Sequence, residues 1–202
     1  YNEVAGEAQL SASDRKLLNE AWLACDSAYA PYSNFHVGAA LELANGEFVL
    51  LFDHDDLLAP NCLTEIVLAI NKHKRADIIY SDEDKITESG IHLAAHFKPD
   101  WAPDHLLSRN YMGHVVVIRR SLIHDVGGFR EGFEGSQDYD LLLRTTECSQ
   151  HIVHIPKVLY HWRIHEQSAA QGEEVKPYAY IAAKKALSEA LERRGLRGEV
   201  KY

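Results

Sequence analysis

Asp53, Asp55 and Asp56 stand directly behind Phe48-Val49-Leu50-Leu51-Phe52, an apolar run about as long as a buried strand. Carboxylates this close repel one another, and a shared cation relieves the repulsion. Their hard oxygen atoms suit Mg²⁺ or Mn²⁺ better than zinc. In open α/β sheets, ligands bind beyond the carboxyl ends of the strands, which is where these acids fall. The same residues also fit a solvated acidic loop in which Asp56 or Asn61 caps the next helix. Three more polar groups have comparable settings: Asp82-Glu83-Asp84 behind an apolar run, Asp138 and Asp140 opening a helix, and Tyr160-His161-Trp162-Arg163-Ile164-His165. Each alone has a structural explanation, since acids in a first helical turn simply complement the helix dipole.

The elements that must hold these groups alternate between strand and helix, which makes the fold class α/β. Leu17, Leu18, Ala21, Trp22, Cys25 and Ala28 predict a helix over residues 11–30, capped by Ser11 or Ser13 and stopped before Pro31. Residues 35–44 read either as a strand leading into an Asn45-Gly46 hairpin or as the end of a helix with Gly46 at its C′ position. Leu63, Ile66, Val67 and Ile70 give an amphipathic helix, and Ala76 to Tyr80 a short strand ending in acids. Residues 92–104 look irregular, with Trp101 exposed. Val115 to Ile118 must be a strand, followed by a short helix, 121–126, closed by Gly127-Gly128. A helix over 137–148 precedes two strands, 151–155 and 158–163. A final helix, 174–194, turns Tyr178, Ile181, Ala182, Leu187, Ala190 and Leu191 inward and ends at Gly195.

With 202 residues, 46% of them hydrophobic, the chain can bury one good core. Its 21 basic and 30 acidic residues, a net charge of −9, argue against a nucleic-acid or anionic-membrane surface and suit recruitment of a cation. No apolar run approaches the roughly 20 residues that cross a bilayer, and no charged-then-apolar leader is present, so a cytoplasmic location is expected. Cys25, Cys62 and Cys148 are odd in number and far apart, which predicts buried free thiols and no zinc site built on them.

Taken together, the strings become specific. Gly46 to Pro60, containing Asp53-His54-Asp55, resembles the D-x-D segment of family-2 inverting glycosyltransferases of the GT-A fold. Asp77 to Lys85, Phe97 to Trp101, Gly127-Gly128-Phe129-Arg130, Gly135 to Leu141, and Tyr160 to His165 with Ser168 follow in that family's order. The resemblance covers residues 39–202 and is closest to bacterial enzymes that build surface polysaccharides. It implies a partial GT-A, Rossmann-like mixed sheet flanked by helices, and transfer of a sugar from a nucleotide-sugar donor to a glycan acceptor. Asp53, Arg163 and His161 would meet the nucleotide and diphosphate. Asp55 and His165 would hold Mn²⁺ or Mg²⁺, Asp82, Glu83 and Trp101 would line the acceptor side, and Asp138 would be the general base.

Residues 1–38 do not continue that resemblance. Leu17 to Ala28 with Ala30 to Leu41 resembles the first helix and strand of cytidine deaminases, yet the zinc-binding strings of deamination have no counterpart. A chimera is implied, joined at Gly38-Ala39-Ala40-Leu41, with domains at 1–38 and 39–202. The apolar strands that build the nucleoside pocket in the family are absent from residues 1–38, so weak donor affinity is expected. An unpaired sheet edge open to homodimerisation is expected as well. The alternative is a folded chimeric module without activity.

Overall fold

The computed structural model describes residues 47–53, 55–164 and 177–201. The expected 11–30 helix, the strand-or-helix choice at 35–44, the deaminase-like segment and His165 lie outside the described residues.

In chain order the elements are β1 (Phe48–Leu51), β2 (Leu57–Leu58), α1 (Cys62–Lys72), β3 (Ile78–Ile86), β4 (His92–His96), α2 (Pro103–Ser108), β5 (Val116–Arg119), α3 (Arg120–Asp125), α4 (Gln137–Cys148), β6 (Ile152–Arg163) and α5 (Pro177–Arg193). One mixed sheet takes the order β1-β5-β3-β6-β2, with β4 added to β3. β3 and β6 run parallel, while β5 is antiparallel to both β1 and β3. The GT-A-like mixed α/β sheet expected from the sequence is therefore present.

Side-chain alternation along β3 divides the core in two. Ile78 and Tyr80 pack with Leu106, Tyr111, Leu141, Leu142 and Leu187 under α2, α4 and α5. Ile79 packs on the other face with Phe48, Leu50, Cys62, Ile66, Leu159 and Tyr160.

Several expectations change in the fold. β3 does not stop at Tyr80. It runs on to Ile86 with Asp82, Glu83 and Asp84 buried inside it, because each acid has a polar partner that offsets its desolvation. The two strands expected at 151–155 and 158–163 are one, β6. The ladder jumps from Ser81↔Ile155 to Asp82↔Val158, so Pro156 and Lys157 bulge outward without costing a ladder hydrogen bond. The stretch 92–104 holds β4 and α2, and Trp101 is half-buried against the core. In α1 the buried stripe starts at Cys62, four residues before Ile66, which leaves Leu63 exposed. Ile181 of α5 is likewise exposed, and Ala182, Ala186, Leu187 and Ala190 are the residues this helix buries. Cys62 is a buried free thiol whose pKa burial pushes up to about 11, but Cys148 is exposed at the end of α4.

Candidate active site

The site forms where β1 ends, β5 begins and α4 opens. β1 delivers Asp53, with its side chain about half exposed. Opposite it, the segment before β5 brings His114, whose Nε2 lies 3.7 Å from Asp53 Oδ2. The His114 ring stacks on Tyr160 of β6, centroids 4.8 Å apart and planes 20° apart. Trp162 meets the other side of His114 edge-on at 6.1 Å.

Asp138 sits in the first turn of α4, where backbone N–H groups favour its charge. Asn110 Nδ2 donates to its Oδ2 at 3.0 Å, and Asn110 Oδ1 is buried with no hydrogen-bond partner among the described residues. Burial raises the Asp138 pKa above the ordinary carboxylate value, Asp53 adds to the rise, and His114 opposes it. Asp53 and His114 therefore share one electrostatic site with Asp138. A raised carboxylate is what a general base near neutral pH requires.

Asp56 supports this site rather than capping α1, whose N-cap is Asn61. Its Oδ2 accepts from Tyr160 Oη at 2.5 Å, and its Oδ1 accepts from the Arg163 amide at 2.7 Å. Tyr160 Oη in turn accepts from the Asp53 amide at 3.3 Å, and Arg163 Nε donates to the Asp55 carbonyl at 2.7 Å. The acidic loop is thus clamped to β6 from two sides. Burial raises the Asp56 pKa against these hydrogen bonds.

The three residues expected on the acceptor side do not form one surface. Asp82 Oδ1 accepts from the Lys98 amide at 2.9 Å and meets His154 Nε2 at 2.8 Å. Glu83, its side chain on the opposite face of β3, accepts from the His114 amide at 2.6 Å and from Lys98 Nζ at 3.2 Å. Lys98 also donates to the carbonyls of Met112 and His114, which fixes the loop carrying His114. Burial lowers the pKa of Lys98 while Glu83 and Asp82 raise it. Trp101 packs with the Tyr80 and Tyr111 cluster. His161, expected at the diphosphate, hydrogen-bonds Asp84 instead. Asp140 is fully buried between Arg130 and Arg144.

His114 and Asn110 are the site residues that the sequence did not single out. The available signal was Gly113-His114 lying directly ahead of the β-branched run. Nothing local tied that pair to an acid 60 residues away in the chain.

The mixed sheet flanked by helices is a fold of the GT-A type. More particularly, residues 37–127 match the family described as glycosyl transferase family 2. The chain is 52% identical over 157 residues to an uncharacterized protein, y4gI, of Sinorhizobium fredii, covering 77% of this chain and 17% of that protein. It is 41% identical over 155 residues to the O-antigen biosynthesis protein RfbC of Myxococcus xanthus, covering 77% of this chain and 12% of that protein. The chain thus spans less than a fifth of either relative. S. aureus TarS residues 1–349, solved with UDP-GlcNAc, share the fold at a TM-score of 0.51 and 17% identity, covering 74% of this chain and 49% of that one. Among the described residues, no helix is long and apolar enough to cross a membrane.

Proposed function

We propose that this chain carries the catalytic part of an enzyme that transfers a sugar from a nucleoside-diphosphate donor to a glycan hydroxyl, with inversion at the anomeric carbon. The observation that carries this reading is the convergence of Asp53, His114 and a raised Asp138 at the carboxyl end of β1. Asp138 removes the proton from the attacking hydroxyl, and a single base with no second carboxylate acting as nucleophile corresponds to one displacement. Asn110 orients that carboxylate through Nδ2. Asp53 and Asp55 face the donor, and Arg163 fixes the Asp55 loop.

Carboxylates are the hard oxygen ligands that suit a divalent cation, and Asp53 acts electrostatically on both Asp56 and Asp138. Bound between Asp55 and the donor, Mn²⁺ or Mg²⁺ would supply positive charge to the departing diphosphate. His165 completes that ligand set in the proposal. Trp101 remains the candidate to stack on an acceptor sugar, while Asp82 and Glu83 act from behind by holding Lys98 and His114. The RfbC similarity supports a bacterial surface polysaccharide as the acceptor class, and the UDP-GlcNAc complex of TarS makes UDP-sugars the first donors to test. In this reading residues 1–38 are a deaminase-like segment without deaminase chemistry. The family match beginning at residue 37 supports a join there. Weak donor affinity of the chain by itself follows from the sequence of residues 1–38, which carries no apolar run of the kind that builds the family's nucleoside pocket, since positioning supplies much of the rate.

Calorimetric titration of UDP with and without MnCl₂ tests the proposal. Metal-dependent binding that disappears in Asp55→Ala is expected. Absence of binding at millimolar UDP with Mn²⁺ would sink the reading and leave a folded module without activity.

A further inference from the structure

Asp84 and two histidines form a cluster that the transfer chemistry does not use. Asp84 Oδ1 lies 2.6 Å from Nδ1 of His161 on β6, and its Oδ2 lies 2.9 Å from Nδ1 of His92, the first residue of β4. The imidazoles meet edge to face, with centroids 4.5 Å apart and planes at 82°. One ligand atom from each of the three residues lies within 4.8 Å of the others. The side chains of Asp84 and His161 are mostly buried, at 12% and 14% exposure, whereas that of His92 is 50% exposed.

We propose that Asp84, His92 and His161 bind a divalent transition metal, with Zn²⁺ the best fit, as a three-ligand site. The inference does not rest on the transferase reading, since it uses none of Asp53, Asp55 or Asp138. Two imidazoles and one carboxylate form a borderline donor set, which favours zinc over the hard cations Mg²⁺ and Ca²⁺. Zinc bonds of about 2.0–2.2 Å in a tetrahedron set ligand atoms about 3.3 Å apart. The contacts at 2.6 and 2.9 Å, made through the two oxygens of Asp84, would need to open by a fraction of an ångström, and ligand atoms that lie up to 4.8 Å apart would need to close by up to about 1.5 Å. Small ring rotations accomplish that, and the ion then replaces the two N–H···O hydrogen bonds. The exposed edge of His92 gives solvent access to the cluster.

The consequence is mechanical as well as chemical. β4 is a short strand whose first four residues are all exposed, and β3 is its ladder partner. With so little apolar burial, β4 belongs to the easily opened end of the structure. An ion held from β3, β4 and β6 together ties that strand to the long β3–β6 ladder.

Equilibrium dialysis of the whole 202-residue chain against ZnCl₂ tests this. One tightly held ion is expected, with His92→Ala and Asp84→Asn each weakening it at least roughly tenfold. Asp55→Ala should leave zinc binding unchanged, and excess Mg²⁺ should not displace the ion. Zinc should also raise the thermal unfolding midpoint of the unaltered chain but not that of His92→Ala, which removes an exposed ring and is expected to fold. If no zinc is retained, or if His92→Ala retains it undiminished, the proposal is overturned and the cluster is a hydrogen-bonded pair of histidines only. Neither result changes the outcome of the UDP titration, so the two readings fail separately.

Discussion

At Asp138, burial and, less strongly, the charge of Asp53 hold the carboxylate's pKa up, while His114 and the backbone N–H groups of the helix turn draw it down. Its folded pKa lies above the ordinary 3.8, so its contribution to stability is fully present below that value and is lost as pH rises through the folded one. At neutral pH the ionised form therefore costs stability. Asp138→Asn should leave the melting temperature unchanged or higher while lowering the transfer rate by about 10²–10⁴-fold, with metal-dependent nucleotide binding intact. Retained turnover would refute the role of base. His114→Phe keeps a ring on Tyr160 but removes a charge that opposes proton uptake by Asp138 and Asp56. The acidic limb of the rate–pH profile should move to higher pH, and an unmoved limb would detach His114 from the base.

Single elements are held by buried polar anchors that leave little room for change. Gly113 adopts φ +47°, and a Cβ there would sit 2.6 Å from Glu83 Oε2. Glu83 cannot swing aside, because it already binds Lys98 and the His114 amide. Gly113→Ala should cost more than about 1 kcal/mol in urea denaturation and should weaken nucleotide binding by displacing His114. On α4, burial disfavours ionised Asp140, but hydrogen bonds from Arg130 and Arg144 outweigh it and hold the pKa below 3.8. That contribution is present above pH 3.8 and is lost as pH falls through the lower folded value. Asp140→Ala would leave Arg144 buried without its charge partner, a change that typically costs 3–5 kcal/mol, or roughly that. Thermal melts from neutral pH down to acid should show the gap between the two proteins narrowing only below that threshold.

Across the whole molecule, the sheet gathers residues from both ends of the described chain around the end of β1. Among the described residues, β1 has one ladder partner, β5. An unpaired sheet edge can recruit another strand, and a homodimer contact there is the expectation to test. Sedimentation velocity at micromolar concentration should reveal self-association. A strictly monomeric chain would argue against that contact.

Much of this protein was legible in residue order. Apolar runs marked β1, β5 and the core of β3, because burial on both faces demands continuous hydrophobicity. The strings around Asp53, Asp138 and Arg163 marked the candidate site, since the proposed chemistry needs those residue types. The sequence could not reveal that Asp82, Glu83 and Asp84 lie inside a strand. Acids read as loop until their partners, Lys98, His154 and His161, are brought to them by strand pairing. The same reason hid His114 and Asn110 and sent His161 to Asp84. Local sequence determined which residues could do chemistry and which runs had to be buried. Only the tertiary structure decided which polar groups neutralise one another and which remain to act, because desolvation and charge pairing depend on neighbours far apart in the chain.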